Sequence, residues 1–92
     1  MKEIWCLFSI DFEYNQPDNN LVVWWETKPD FSTLKSVFSN MYFDKEIDNI
    51  KINDILKGEE ISICFKNVFN GKENEICHAH YRLKTIKCGE IL

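Results

Sequence analysis

The sequence predicts an α+β fold, a two-layer domain in which an antiparallel sheet of two hairpins packs on one amphipathic helix in the order β-β-α-β-β. Three observations carry this. "EIWCLFSIDFEY" alternates with period two, "PDFSTLKSVFSNM" switches to helical spacing, and "EEISICFKNVFNGKENEICHAHYRLKTIKC" returns to alternation on both sides of an Asn-Gly pair. With 92 residues, 45% of them hydrophobic, the chain reads as a single domain, 1–92, with ample core material and little room for a large cavity.

In the first segment Ile4, Cys6, Phe8, Ile10, Phe12 and Tyr14 form one apolar row, and Trp5, Leu7, Ser9, Asp11 and Glu13 form the other. The longer row is the expected core face. "NQPDNN" supplies turn chemistry, with Pro17 setting φ, and "LVVWWET" is the returning strand. A four-residue loop at Gln16 to Asn19 sets Tyr14 against Leu21, Phe12 against Val23 and Ile10 against Trp25. Adjacent strand residues point to opposite faces. Trp25 is therefore expected in the core, and Trp24 on a second face with Trp5, Leu7 and Val22.

Asp30 after Pro29 is the expected N-cap of the helix, with Phe31, Leu34, Val37, Phe38 and Met41 on its apolar side. "EIDNIKI" alternates like a short strand, and "NDILKG" reads as one helical turn closed by Gly58. In the last segment a two-residue Asn70-Gly71 turn sets Ile63 against His78 and Ile61 against His80. A five-residue loop, Phe69 to Glu73, pairs Ile61 with Tyr81, Ile63 with Ala79 and Phe65 with Cys77, and is the preferred register. It places Ser62 by His80, Cys64 by His78 and Glu60 by Arg82.

The four cysteines, at positions 6, 64, 77 and 88, form no CxxC pair. With no secretory signal and no apolar run long enough for a membrane span, reduced thiols in a soluble cytoplasmic protein are the expectation. No metal is expected: in "CHAH" a strand turns Cys77 away from His78 and His80, and two histidines do not close a structural zinc site. No cofactor motif is present either.

Two surfaces carry functional interest. His78, His80, Arg82 and Lys84 form a cationic row on one strand face, suited to phosphate or carboxylate. Trp5 and Trp24, with Leu7 and Val22, form an aromatic second face, fit for an interface, a stacking platform, or cover by another segment such as "GEIL". Catalysis is not expected. A Cys64–His78 pair lacks an orienting third group, and there is no Gly-rich phosphate loop. Net charge is -4, and duplex nucleic acid is not an expected partner.

"YNQPDNNLVVWWETKPDFSTL", "INDILKGEEISI" and "YRLKTI" resemble small accessory proteins of tailed bacteriophages. That resemblance implies a phage-encoded factor in the host cytoplasm that binds and disables a host defence component. The expected function is non-enzymatic sequestration of a small nucleotide-like signal by a homodimer or larger homo-oligomer. The alternative is a protein-binding inhibitor or immunity protein.

Overall fold

The computed structural model describes residues 2–13 and 16–87. The order is β1 (Glu3–Glu13), β2 (Gln16–Trp25), α1 (Phe31–Met41), α2 (Asn49–Leu56), β3 (Ile61–Phe69) and β4 (Lys72–Lys87). Four strands form one antiparallel sheet ordered β2-β1-β4-β3. The α+β class holds, whereas β-β-α-β-β does not, because a second helix lies between α1 and β3.

Both helices start where a carboxylate meets a backbone donor. Asp30 Oδ1 accepts the Thr33 backbone N–H at 2.8 Å, and Asp48 Oδ1 accepts that of Ile50 at 2.9 Å. As the spacing predicts, α1 buries Leu34 and Phe38, with Met41 at its exposed end. In α2, Ile52 and Ile55 are fully buried. The expected strand at "EIDNIKI" is corrected: Ile50 and Ile52 alone fit period two, whereas Ile52 and Ile55, three apart, share a helical face, and the Asp48 cap with burial of Ile52 and Ile55 and exposure of Ile50 selects the helix. Gly58 closes it at φ +90°. Its N–H donates to the Ile55 carbonyl at 3.0 Å, and the Glu59 N–H donates to that of Asp54 at 3.2 Å.

The Asp30 cap makes a pH prediction. The bonds from Thr33, its backbone N–H first, hold the Asp30 carboxyl below its ordinary value. A folded pKa lowered in this way adds stability that is present above the unfolded pKa, near about 3.9, and is lost as pH falls through the folded value. Asp30→Asn keeps an acceptor without this titration. Below about pH 4 the wild type should lose stability faster than Asp30→Asn, read from urea midpoints at matched pH; parallel curves would remove the cap from the acid response.

The core lies between the helices and one sheet face: Leu7, Leu34, Phe38, Ile47, Ile52, Ile55, Ile61, Ile63, Tyr81 and Leu83, flanked by Trp5, Val23 and Trp25. The Phe38 ring meets Tyr81 edge-on at 5.0 Å between centroids, and Tyr42 Oη and Tyr81 Oη share a 2.6 Å hydrogen bond that ties the end of α1 to β4. The helix-covered face of β1 is thus the Trp5/Leu7 row, which corrects the expectation that Ile4, Cys6, Phe8 and Ile10 face the helix. Ile4, Cys6 and Ile10 are buried as well, on the opposite face. A central strand apolar on both sides gives no indication, from alternation alone, of which side the helices take.

The first hairpin is also corrected. Gln16 to Asn20 belong to β2, and pairing runs from Glu13↔Gln16 to Trp5↔Trp25. Tyr14 lies outside the described residues. Pro17 reads as a turn residue in the sequence, but among the described residues β2 pairs only with β1, and an edge strand tolerates a residue without an N–H. A β-bulge at Val22, between Leu7↔Val23 and Phe8↔Leu21, turns Leu21 and Trp24 to one face and Val23 and Trp25 to the other.

In the second hairpin both competing registers are present. At its base Ile61 pairs with Tyr81, Ser62 with His80 and Ile63 with Ala79. Beyond a bulge at His78 the register shifts by one, so Cys64 pairs with Cys77, Phe65 with Ile76 and Phe69 with Lys72. The loop is therefore the two-residue turn, with Asn70 at φ 53° and Gly71 at φ 74°, both in the left-handed region that a type I′ turn requires. The expected five-residue loop is corrected, while its apolar base pairs stand. Cys64 and Cys77 form a disulfide, which overturns the expectation of reduced thiols for this pair and removes Cys64 as a partner of His78. Cys6 is buried in the sheet, and Cys88 lies outside the described residues. No helix among the described residues is long and apolar enough to cross a membrane.

Candidate binding face

The sheet face away from the helices carries Trp24, His80, Arg82 and Lys84. Opposite residues in adjacent strands define two rows across it. One runs Trp24–Cys6–Lys84 and the other Leu21–Phe8–Arg82, from β2 through β1 to β4. Adjacent strands lie about 4.8 Å apart, so Trp24 and Lys84 stand about 10 Å apart at the backbone with Cys6 between them. Cys6 is fully buried, and Trp24 is 51% exposed. The result is an aromatic and aliphatic ridge on β2 facing a cationic ridge on β4, with the half-buried Phe8 ring between.

Lys84 Nζ lies 5.1 Å from the Phe8 ring centroid, a cation–π contact that holds the ammonium over the middle of the face. Arg82 is exposed beside the same ring. Among the described residues the ion pairs are Lys2–Glu26 at 3.5 Å and Lys66–Glu73 at 3.4 Å, and neither involves Arg82 or Lys84. Arg82 and Lys84 are both exposed and present positive charge on this face. His80 extends the row toward β3, its Nδ1 2.7 Å from Ser62 Oγ, as the base register of the hairpin anticipated.

The site residues expected from sequence divide accordingly. Trp24, His80, Arg82 and Lys84 share this face. Trp5 does not: it lies on the helix side opposite Trp25, packs against the core, and has Lys28 Nζ 5.2 Å from its ring centroid. The odd-numbered residues of β1 face the helices, which separates Trp5 from Trp24. The bulge at His78 breaks the alternation that made it the fourth member of the row, and its side chain lies outside the described residues. Glu60 precedes the first residue of β3 and is outside the ladder. Phe8 and Leu21 join the face unannounced. Leu21 is placed there by the bulge at Val22, which no local pattern marks, and Phe8 by the helices covering the other row of β1.

Elsewhere, a cavity of about 140 Å³ at the β3 edge is lined by Glu46, Asp48, Lys51, Ser62, Phe65 and Glu75, among others. It is below the roughly 300 Å³ at which ligand pockets begin, and its three carboxylates repel an anion, while two shallower depressions of about 430 and 440 Å³ lie along Phe31, Lys35 and Ser39 of α1 and beside Lys35, Glu46 and Asp48. Among the described residues no cluster of three His, Cys, Asp or Glu side chains is placed to hold a metal. The chain matches no protein-family model, no curated protein and no solved structure.

Proposed function

We propose that this is a non-enzymatic binding protein that captures a small anionic, nucleotide-like ligand on the helix-free face of its sheet. The observation that supports it is the pairing on one face of an exposed indole, Trp24, with two cations that have no ion-pair partner among the described residues, Arg82 and Lys84. A base stacks on Trp24, phosphate oxygens take the Arg82 fork and the Lys84 ammonium, and Phe8 underlies the gap. The phage resemblance supplies the setting: sequestration of a host defence signal in the host cytoplasm. Because a chain of 92 residues encloses little ligand volume of its own, capture proceeds in a homodimer or larger assembly that completes the site.

One observation favours a second reading, in which the partner is a host protein. Leu21, Val22 and Trp24 are exposed along β2, an edge strand whose outer backbone groups suit contact with another chain.

The test is native mass spectrometry and tryptophan fluorescence with a panel of cyclic and linear nucleotides. Binding on the order of nanomolar to micromolar, with quenching and weakening by salt, is the expected result. An apo mass unchanged by every nucleotide, with a stable complex recovered from host extract, would reject the nucleotide reading in favour of the protein one.

A further inference from the structure

Beyond the Ile10↔His80 pair the β1–β4 ladder ends, and β3 with the first half of β4 continues as a two-stranded arm. Residues 66 and 68–77 are exposed along it. Such a ribbon is marginal in water without a third strand or a packed face. Two registers compete within it, one favoured by the apolar base pairs and one by the Asn70-Gly71 turn, and the bulge at His78 is the junction between them. The disulfide lies on the first pair beyond that bulge.

We infer that the Cys64–Cys77 disulfide is a reversible lock on the register of this arm, opened by a dithiol reductant. With the bond closed, Cys64 must face Cys77, and the extra residue of β4 is confined to His78. With the bond open, β3 stays seated through Phe65, which packs on the core and on Tyr42, while placement of the bulge in β4 depends on the Phe65↔Ile76 pair and the exposed Lys66–Glu73 ion pair, each a weaker constraint than a covalent cross-link. The bulge then redistributes along β4, and the arm samples more than one register.

Cys77 is exposed and Cys64 half-buried, so the outer sulfur is open to attack. A reductant thiolate bonds to Cys77 Sγ, the Cys64–Cys77 bond breaks, and Cys64 leaves as a thiolate that takes a proton. The reductant's second thiol, as thiolate, then displaces Cys77, which is protonated in turn. Two electrons and two protons pass to the protein, and the reductant leaves as its own disulfide. In a reducing cytoplasm the arm would be unlocked, and oxidation would close it.

The experiment is amide hydrogen exchange and cross-strand nuclear Overhauser contacts by NMR. Samples are the oxidised protein, the protein reduced with dithiothreitol, and the Cys64→Ser/Cys77→Ser variant, which needs no reductant. Expected on reduction, and in the variant, is an at least tenfold loss of protection over residues 64–77 with less than twofold change over 4–10 and 81–86, and a second set of cross-strand contacts in the arm. Three results would overturn the lock: an unchanged single register with unchanged protection, loss of protection throughout the chain, or two free thiols at these positions in protein purified under air.

Discussion

Phe38→Ala is expected to destabilise the protein by about 3–5 kcal/mol, the largest effect of any single truncation in this fold. Phe38 is fully buried, lies in the central cluster, and meets Tyr81 edge-on. Its removal deletes transfer free energy and leaves a cavity where α1 joins the sheet. Total stability for a domain is about 5–15 kcal/mol, so the variant should populate the unfolded state measurably. Urea unfolding followed by far-ultraviolet circular dichroism reads the loss. A change below about 1 kcal/mol, the level typical of surface sites, would mean that α1 does not seat Phe38 on β4 as described.

The second large effect concerns binding. Arg82→Ala and Lys84→Ala are each expected to weaken capture of an anionic nucleotide by roughly ten- to a hundredfold, the range of hydrogen bonds to charged groups, about 1.5–3 kcal/mol. Trp24→Ala should lose a similar amount through stacking, about 1–3 kcal/mol. All three side chains are exposed, so their removal should leave the urea midpoint nearly unchanged. Trp5→Ala is the contrasting control. Trp5 packs on the helix side against the core, so its truncation should lower stability while the folded protein binds as before. Isothermal titration on folded variants decides it: equal losses for Trp5→Ala and Trp24→Ala would put both tryptophans at one site, contrary to the fold, and no loss for Arg82→Ala with Lys84→Ala would remove the cationic ridge from recognition.

The adjacent tryptophans Trp24 and Trp25 mark the reach and the limit of strand alternation. Strand geometry separates Trp24 from Trp25, and the exposed residue is Trp24, as alternation requires. Trp5 lies on the helix side rather than beside Trp24, a difference that alternation does not reveal because both rows of β1 are apolar. A strand buried on both faces looks the same whichever side the helices choose, and only the set of Leu34, Phe38, Ile52 and Ile55 packed over Leu7 decides. Likewise, Pro17 reads as a turn residue until its strand is known to be at the edge.

The second hairpin presents a related difficulty. Each register, taken alone, violates one local preference: the Asn-Gly register mispairs Ile61 and Ile63, and the apolar register abandons the Asn-Gly turn. One extra residue at His78 satisfies both, and nothing in "CHAHYR" announces it. That residue also brings Cys64 opposite Cys77, which no cysteine spacing indicated.

By itself, then, the sequence determined the elements whose signal is local: α1 with its Asp30 cap, the Gly58 helix stop, alternating strands around an Asn-Gly turn, the α+β class, and the cationic positions 80, 82 and 84 on one strand face. These depend on periodicity and capping within a few residues. Tertiary structure alone decided which face of β1 meets the helices, where the two bulges fall, which cysteines pair, and that Phe8 and Leu21 rather than Trp5 stand beside Trp24. Those outcomes depend on strand order and on one-residue shifts in register, whose energies come from partners far along the chain and so leave no trace in any short window of residues.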